Sequence, residues 1–318
     1  MLADIKNSTL TQAISHLSIQ CKIPDLNCYN TNMSTIYDLH CHSTASDGVL
    51  SPEEVVLRAA ANGVGVLALT DHDDTSGLVK ASEMASNTDL DFIKGIELSV
   101  SWSHQTIHIV GLHINPETQT LQSGLEALRQ FRNWRAEEIA QRLEKKGISG
   151  ALEGATKFAA GNILSRTHFA RFLLQQGYAK DMRQVFKRYL VSGKPGYVPG
   201  KWASLEEALK WISDANGMAI IAHPARYRLS ATRMRQLMAE FKELGGVAIE
   251  VVSGSHSKDD VHNMAQMANR FEFAASAGSD FHSPDNQYTD LGRISPIPQK
   301  CTPIWQLDRW KEIVNSTQ

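Results

Sequence analysis

The sequence predicts an α/β fold with a parallel sheet that is either open or closed into a barrel. Short apolar runs that fit strands alternate with runs that fit helices along most of the 318 residues. This alternation is typical of parallel strands joined by helices. His and Asp directly follow several of the apolar runs. In parallel α/β folds, functional side chains gather at the carboxyl ends of the strands.

Residues 1–34 differ from the rest of the chain. They are rich in Asn, Ser and Thr and show only weak helical periodicity. We expect a loosely ordered N-terminal extension, with the functional domain beginning near Met33. The remaining boundaries are predicted as a first barrel part at 35–115, a helical insertion at 116–192, and a second barrel part with a C-terminal tail at 193–318.

The first helix carries its own capping signals. Ser51 fits the N-cap, Pro52 the first helical position, and Glu54 the residue that completes a capping box. Asn62 and Gly63 predict the end of this helix. Around it we expect strands and one further helix, in the order strand 34–40, strand 64–70, a helix ending near residue 86, and two tightly joined strands at 92–102 and 105–114.

The middle of the chain shows helical spacing and no strand-like run. A long helix is predicted at 117–146, and two shorter helices at 167–176 and 181–190. A Gly- and Pro-rich loop at 193–200 then returns the chain to strand–helix alternation. The elements predicted after it are helix 204–216, strand 218–222, helix 230–244, strand 247–252, helix 259–270 and strand 273–279.

Composition limits the classes of function. Hydrophobic residues make up 42% and charged residues 21% of the chain, typical of a soluble globular protein. The net charge of −2 requires any polyanion site to be a local basic patch. No apolar run approaches the roughly 18 residues of a membrane span. The four cysteines form no C-x-x-C pair and the start does not resemble a signal peptide, so we expect a cytoplasmic protein with reduced thiols.

Histidines and acids recur where the predicted strands end. Residues of this kind are costly to bury alone, whereas a divalent metal turns them into ligands. Mixed imidazole and carboxylate ligation suits Mn²⁺, Zn²⁺ or Fe²⁺, and the number of candidates suffices for two or three ions. The candidate metal ligands are His40, His42, Asp47, Asp71, His72, Glu97, His108, His223, Asp280 and His282.

Each candidate also has an ordinary alternative. Asp47 alone would fit a turn and Asp71 alone a helix cap. A lone histidine is more often a surface or core residue than a ligand. We apply that interpretation to His16, His104, His113, His256 and His262.

Several segments resemble the PHP (polymerase and histidinol phosphatase) superfamily. These are residues 37–43 (YDLHCHS), 45–48 (ASDG), 69–73 (LTDHD), 95–97 (GIE), 222–224 (AHP) and 278–282 (GSDFH). Finer segments are similar to the branch that contains 3′,5′-nucleoside bisphosphate phosphatases and bacterial 5′→3′ exoribonucleases. These are residues 107–112 (IHIVGL), 166–170 (RTHFA), 194–199 (KPGYVP) and 223–227 (HPARY).

The resemblance implies a distorted (βα)7 barrel with an inserted helical domain and two or three divalent metals, usually Mn²⁺. By this resemblance, all the candidates above except Asp71 are expected to be metal ligands. Asp71 could instead orient an imidazole. It also implies a phosphoesterase that acts on nucleoside 3′,5′-bisphosphates and on the 5′ end of 5′-phosphorylated RNA. For proton transfer we consider His223 or an acid such as Asp280. No obligate protein partner is indicated.

The second phosphate of such a substrate needs a separate anchor. Arginine grips phosphate with two parallel hydrogen bonds, so Arg132, Arg135, Arg166 and Arg226 are the candidates. Arg166 opens a predicted helix, whose dipole favours an anion, while Arg226 equally fits an ion pair with a surface acid. Two aromatic residues fit either base stacking or ordinary packing: Tyr197 and Trp202.

Two other functions compete with this prediction. A small-metabolite phosphatase of the histidinol-phosphate phosphatase type would share the metal centre and need no nucleotide-binding surface. A non-catalytic module, like the PHP domains attached to DNA polymerases, would need no complete ligand set.

Overall fold

The computed structural model describes residues 35–317. The predicted N-terminal extension, including His16, lies outside the described residues. Seven strands form one sheet: β1 Ile36–Asp38, β2 Val64–Leu69, β3 Asp91–Trp102, β4 Gln105–Leu112, β5 Met218–Ile221, β6 Ala248–Ser253 and β7 Ala274–Gly278.

Helices cover most of the connections between the strands. Within residues 35–317, no helix is long and apolar enough to cross a membrane. The α-helices are α1 Pro52–Ala61, α2 Leu78–Ala85, α3 Gln119–Glu144, α4 Ala151–Thr156, α5 Arg166–Gln175, α6 Met182–Val185, α7 Leu205–Asp214, α8 Ala231–Glu243, α9 Lys258–Phe271 and α10 Asp308–Thr317.

The sheet is barrel-shaped, and its strands lie in chain order from β1 to β7. Its strand pairs are parallel except those of β4, which pairs antiparallel with both β3 and β5. The tightly joined strand pair predicted at 92–102 and 105–114 is confirmed as an antiparallel hairpin, because only antiparallel neighbours can be joined by so short a turn. The antiparallel pairing of β4 with β5 was not predicted from the otherwise parallel sheet.

The barrel nearly closes where β1 meets β7. The Leu39 amide donates to the Ala277 carbonyl (3.0 Å), and the Asp280 amide donates to the His40 carbonyl (2.9 Å). The fully buried carboxylate of Asp38 accepts from two backbone amides of the β7 side, those of Ser279 and Gly292 (both 2.8 Å). Buried backbone donors need such partners, so Asp38 holds this edge together.

Most elements predicted from the sequence are present, with ends that differ by a few residues. The capping box of α1 is confirmed: Ser51 Oγ accepts from the Glu54 amide and the Glu54 carboxylate accepts from the Ser51 amide. The single helix predicted at 181–190 is instead the short α6 followed by a π-helical turn, Phe186–Leu190. Two helices were not predicted, α4 and α10.

The chain between β4 and β5 is helical, as the sequence indicated. The first turns of α3 place Leu121 and Leu125 in the core around the barrel, whereas Ile139 and Leu143 pack in a second core with α4 and α5. Helix α3 therefore links both cores. A separate domain with boundaries at 116–192 stays a prediction.

Gly278 marks the closest approach between β7 and the segment after β1. A Cβ atom at this position would lie 2.3 Å from His40 Cβ and 2.8 Å from the His40 backbone nitrogen. Only glycine fits there without moving backbone, because real Cβ atoms do not approach other heavy atoms so closely.

We predict that Gly278→Ala lowers the free energy of unfolding by about 1–3 kcal/mol, the usual cost of overpacking a filled core. Chemical denaturation measures this. Gly150→Asn is the control, because no heavy atom lies within 4 Å of its Cβ position and asparagine tolerates its left-handed backbone (φ 67°). Equal stability of the two variants would contradict the prediction.

Candidate metal centre

The ends of the strands bring nine of the ten predicted ligands together. His40 and His42 follow β1, and His72 follows β2. Glu97 and His108 lie in β3 and β4. Ligand atoms within 4.8 Å of one another form four overlapping groups, which are His42/Asp47/His72/His282, His40/His42/Glu97, His40/His223/Asp280 and His72/Glu97/His108.

The fully buried carboxylate of Glu97 lies at the centre of these groups. A ring nitrogen of each of five histidines lies within 3.4 Å of one of its two oxygens. Burial raises the pKa of Glu97, but the positive charges nearby more than offset this and hold the pKa well below its usual range. The five histidines are His40, His42, His72, His108 and His223.

Two more carboxylates complete the donor set. Asp47 Oδ1 lies 3.3 Å from His282 Nε2. Asp280 Oδ1 lies 3.3 Å from His42 Nε2 and 3.6 Å from His40 Nε2. Asp47 Oδ1 also lies 4.0 Å from His72 Nε2, and Asp280 Oδ1 lies 3.6 Å from His282 Nδ1. Each carboxylate thus faces imidazoles of two strand ends, the arrangement that a shared carboxylate requires.

The donor atoms fit divalent cations. Nε2 of His40 and Nε2 of His42 lie only 3.1 Å apart. Buried polar atoms normally have hydrogen-bond partners, yet several in this cluster have none. The atoms without a hydrogen bond of good geometry are His42 Nδ1, Asp47 Oδ1, His72 Nδ1, Glu97 Oε2, His108 Nδ1 and His223 Nδ1, although His72 Nδ1 lies 2.8 Å from Glu97 Oε2. Nitrogen and oxygen donors that converge this closely are suited to metal ions, and their mixture suits Mn²⁺, Zn²⁺ or Fe²⁺.

Burial keeps two of the histidines neutral. The pKa of His42 is lowered to about 3, first by burial and then by His282 and His72. Burial also lowers the pKa of His108 to about 4. A neutral imidazole is the form that ligates metal.

Glu250 in β6 is a functional residue that the sequence analysis missed. Its Oε1 lies 2.6 Å from His40 Nδ1, and its Oε2 accepts from the His223 amide at 2.6 Å. A carboxylate on the far nitrogen of an imidazole fixes the tautomer and the ring orientation of a ligand. The available signal was a single acid within the otherwise apolar run of β6.

Asp71 is the predicted ligand that the structure does not bring into the cluster. Its oxygens accept from the Ser43 amide (2.8 Å), Ser43 Oγ (2.6 Å) and Ser46 Oγ (2.5 Å). It contacts no imidazole through these bonds. Asp71 therefore holds the loop that carries Asp47, which is a positioning role different from the one expected.

Strained backbone turns side chains into the site. Asp73, His223 and Asp280, at three different strand ends, have φ of 49°, 29° and 54°. Left-handed conformations in such residues cost about 1–3 kcal/mol each and cluster at functional sites. The other described histidines set aside from the sequence, His104, His113, His256 and His262, lie outside the cluster.

A pocket of about 180 Å³ joins the metal ligands to the four predicted arginines. Arg132 is buried and donates to Asp73 Oδ2 (Nε, 2.9 Å) and Ser99 Oγ (2.9 Å). Arg226 is half-exposed, and its Nη1 donates to Asp280 Oδ2 at 2.6 Å. The surface acid expected as the partner of Arg226 is therefore a candidate metal ligand.

Arg135 and Arg166 have weaker partners. The buried guanidinium of Arg135 donates only to the Val198 carbonyl (2.9 and 3.1 Å), and Arg166 donates to the Leu190 carbonyl at 3.4 Å. Burial, then Arg166 and Arg132, lower the pKa of Arg135 to about 9, and burial lowers that of Arg166. Among the described residues, neither forms an ion pair with a carboxylate.

Trp202 also lines this pocket, and Tyr197 is not among the lining residues. The Trp202 ring lies 4.9 Å from the Arg132 guanidinium carbon and 5.2 Å from that of Arg135. Ser165, another residue that the sequence analysis missed, caps α5 and donates from Oγ to Asp47 Oδ2 at 3.1 Å. It links the arginine side of the pocket to the metal side.

A barrel with imidazoles and carboxylates converging at its mouth defines a metal-site protein. The family model for the PHP domain matches residues 38–217, and the chain belongs to this family. The resemblance noted in the sequence is thereby confirmed.

Two relatives and one solved structure are similar to this chain over nearly their whole length. A Chromobacterium violaceum protein named 3′,5′-nucleoside bisphosphate phosphatase is 49% identical over 85% of this chain and 95% of its own. The Escherichia coli 5′-3′ exoribonuclease Rnm is 44% identical over 91% and 98%. A solved Chromobacterium violaceum structure, described as an amidohydrolase with bound sulfate and no metal, superposes with a TM-score of 0.83 at 47% identity, covering 88% and 96%.

We predict that Glu250→Gln weakens Mn²⁺ binding by about 10–100-fold, the usual effect of removing a carboxylate that orients a ligand. Titration calorimetry measures the affinity. Glu240→Gln is the matched control, because Glu240 also accepts a side-chain hydrogen bond, from Trp102 Nε1 (2.8 Å), away from the cluster. Unchanged affinity in Glu250→Gln would show that Glu250 does not orient His40.

We also predict that metal affinity rises with pH between about 7 and 9. Burial lowers the pKa of His282, but Asp47 and Asp280 outweigh it and raise the pKa to about 9. Below that pH the imidazolium proton competes with the metal, so affinity rises about tenfold per pH unit for each proton displaced. Mn²⁺ titrations at a series of pH values check this, and a flat profile would contradict it.

Proposed function

We propose that the protein is a metal-dependent phosphoesterase that acts on two related substrates. It releases the 3′-phosphate from nucleoside 3′,5′-bisphosphates and removes nucleotides from the 5′ end of 5′-monophosphorylated RNA. One observation carries this proposal, namely that Arg135 and Arg166 face the same pocket as the metal ligands without a carboxylate partner among the described residues.

Two such guanidiniums beside each other favour an anionic ligand. A buried charge is costly unless it is paired, and of the three neighbouring arginines only Arg132 has a carboxylate partner, Asp73. Arginine matches phosphate geometry with paired hydrogen bonds. A phosphate bound at this end of the pocket would supply the missing counter-charge.

The pocket then has two ends with different tasks. The arginine end would hold the 5′-phosphate, and the metal end would receive the 3′-phosphate of a bisphosphate or the first internucleotide phosphate of RNA. This explains why one site would accept both substrates. The names of the similar Chromobacterium and Escherichia proteins, a bisphosphate phosphatase and an exoribonuclease, support the same pair of activities.

When bound, divalent metals lower the pKa of water and neutralise phosphoryl oxygens. The chain would hold them through the nine clustered ligands, with His40 and His223 fixed by Glu250. Arg226, tied to Asp280, would steady the reacting phosphate. His223 and Asp280 line the pocket and are our candidates for handling the proton of the leaving oxygen.

The competing functions explain less of the pocket. A substrate with one phosphate, such as histidinol phosphate, would leave the Arg135 and Arg166 end without an anion. A non-catalytic module would have no use for the complete ligand set.

We further propose Mn²⁺ as the working metal, with Zn²⁺ or Fe²⁺ as alternatives, because nitrogen-rich ligation disfavours Ca²⁺ and Mg²⁺. We assign the protein to the cytoplasm, where buried thiols such as Cys41 and Cys301 stay free.

The direct test measures phosphate release from adenosine 3′,5′-bisphosphate with added Mn²⁺, alongside a 5′-phosphorylated RNA and its 5′-hydroxyl twin. We expect hydrolysis of the bisphosphate and shortening of the 5′-phosphorylated RNA alone. Histidinol phosphate serves as the competing substrate. If it were cleaved while the nucleotides stayed intact, the metal centre would stand and the nucleotide assignment would fail.

We predict that Arg135→Ala and Arg166→Ala each lower kcat/KM for the bisphosphate by about 10–100-fold, because a hydrogen bond to a charged group contributes about 1.5–3 kcal/mol. Arg142→Ala is the control, since this arginine is on the same helix as Arg135 but is paired with Glu138. Both pocket variants should also lose the preference for a 5′-phosphate on RNA. Retention of that preference would place the anchor elsewhere.

A further inference from the structure

Two further cavities lie next to the catalytic pocket or to each other. The first, here called the basic cavity, has a volume of about 310 Å³ and is lined by Ala225, Arg226, Arg228, Ser255, His256 and Asp260. The second, here called the methionine cavity, has a volume of about 410 Å³ and includes Met234, Met264 and Met267 among its lining residues. Arg226 lines both the catalytic pocket and the basic cavity.

The two new cavities also share a wall. Ala225, Arg228 and Asp260 line both. The catalytic pocket, the basic cavity and the methionine cavity therefore lie side by side, each sharing lining residues with the next. The basic cavity lies where β5 and β6 end, whereas the methionine cavity extends along α8 and α9 as far as Arg270, in the last turn of α9.

We infer that this series is the path of the RNA chain downstream of the scissile phosphate, with the next phosphate at Arg228 and an apolar base surface in the methionine cavity. The inference rests on the proposed function, because a 5′ exonuclease must hold the rest of its substrate outside the pocket. Nucleoside bisphosphates would not reach these cavities.

The exposure of the arginines gives the path its direction. Of the two arginines proposed for the 5′-phosphate, Arg135 is 7% exposed and Arg166 is half-buried, so this end of the pocket is largely covered. Arg226 is 51% exposed and borders the candidate metal ligand Asp280. An RNA chain that is anchored at the covered end and cleaved at the metal ligands must leave the pocket through an open side. Arg226 lies on that side.

The chemistry of the basic cavity suits a phosphate. Arg228 is exposed and Ser255 and His256 lie opposite in the segment after β6. The carboxylate of Asp260, the one acid that lines this cavity, accepts from the Ser257 amide (2.9 Å) and from Ser257 Oγ (2.7 Å) and remains negatively charged beside Arg226 and Arg228. Arg228 forms no ion pair with another described residue.

The backbone holds Arg228 in place. The 3-10 turn Pro224–Tyr227 lies between two left-handed residues, His223 (φ 29°) and Arg228 (φ 49°). Tyr227 Oη donates to the Ala222 carbonyl (2.6 Å) and accepts from the His108 amide (2.9 Å). One rigid turn thus directs His223 toward the metal cluster, while Arg226 and Arg228 face the cavities beside it.

The methionine cavity supplies an apolar surface for a base mainly through the half-buried Met267, since Met234 and Met264 are buried. Methionine side chains are flexible and polarisable and make favourable contacts with aromatic rings. Such a surface would accept any base, in keeping with sequence-tolerant binding of single strands. A phosphate site followed by an apolar site is the order in which a nucleotide presents these groups.

The test compares a nucleoside bisphosphate with a 5′-phosphorylated RNA of about ten nucleotides, a length within the range that single-strand sites cover. The variant is Arg228→Asn, because asparagine removes the charge and tolerates the left-handed backbone. Arg309→Asn is the matched control, since Arg309 donates to the Gly217 carbonyl before β5, at the opposite end of the barrel. Trp134→Ala probes the exposed aromatic surface of α3 instead.

We expect Arg228→Asn to lower kcat/KM for the RNA about tenfold, as for a lost charge-assisted hydrogen bond, and to leave that for the bisphosphate within about twofold. The slope of log kcat/KM for RNA against log salt should fall by about 0.7, the value for one phosphate contact on a single strand. The bisphosphate activity also shows that the variant is folded.

Three results would overturn the inference. Unchanged RNA activity in Arg228→Asn would place the path elsewhere, and a loss in Trp134→Ala instead would place it over α3. Equal losses on both substrates would make Arg228 a structural residue. If the wild-type enzyme hydrolysed the bisphosphate but not the RNA, the RNA arm of the proposed function would fail first, and the path with it.

Discussion

The carboxylate of Glu97 is the group around which the barrel mouth is organised. Five histidines, from three strand ends and from β4, turn ring nitrogens toward its oxygens. An array of this kind, most of it buried, would be costly without further charge compensation. The strained backbone of His223 and Asp280, the glycine beside His40 and the Glu250 carboxylate all serve to hold this array in place.

The arginine pocket is the second feature on which the proposed activity depends. Metal ligands alone would define a phosphoesterase without a substrate, whereas the guanidinium groups of Arg135 and Arg166 in the same pocket would allow it to bind a second phosphate. Arg226 belongs to both features, because it pairs with Asp280 and opens toward the basic cavity. The pocket thus has a closed end, a reactive centre and an open side, which is the geometry that an enzyme working from a chain end requires.

The sequence predicted what local patterns encode. Strand–helix alternation, the capping box at Ser51 and the His–Asp pairs after strands led to the fold and to the nine clustered ligands. It did not predict that β4 also pairs antiparallel with β5, since apolar alternation carries no information about strand polarity. The true partners of Asp71, Arg226 and Glu250 were also hidden, because each contact joins residues far apart in the chain.

The most direct measurement is the number of divalent ions that the chain binds at equilibrium, counted by elemental analysis after dialysis against Mn²⁺, for the wild-type protein and for Glu97→Gln. We predict that the wild-type chain binds two or three ions and that the Glu97→Gln variant binds clearly fewer, because Glu97 faces ligands of more than one group. Removal of the ions with a chelator should also lower the wild-type unfolding temperature. Binding of less than one ion per wild-type chain, with no stability change on chelation, would contradict the metal centre itself.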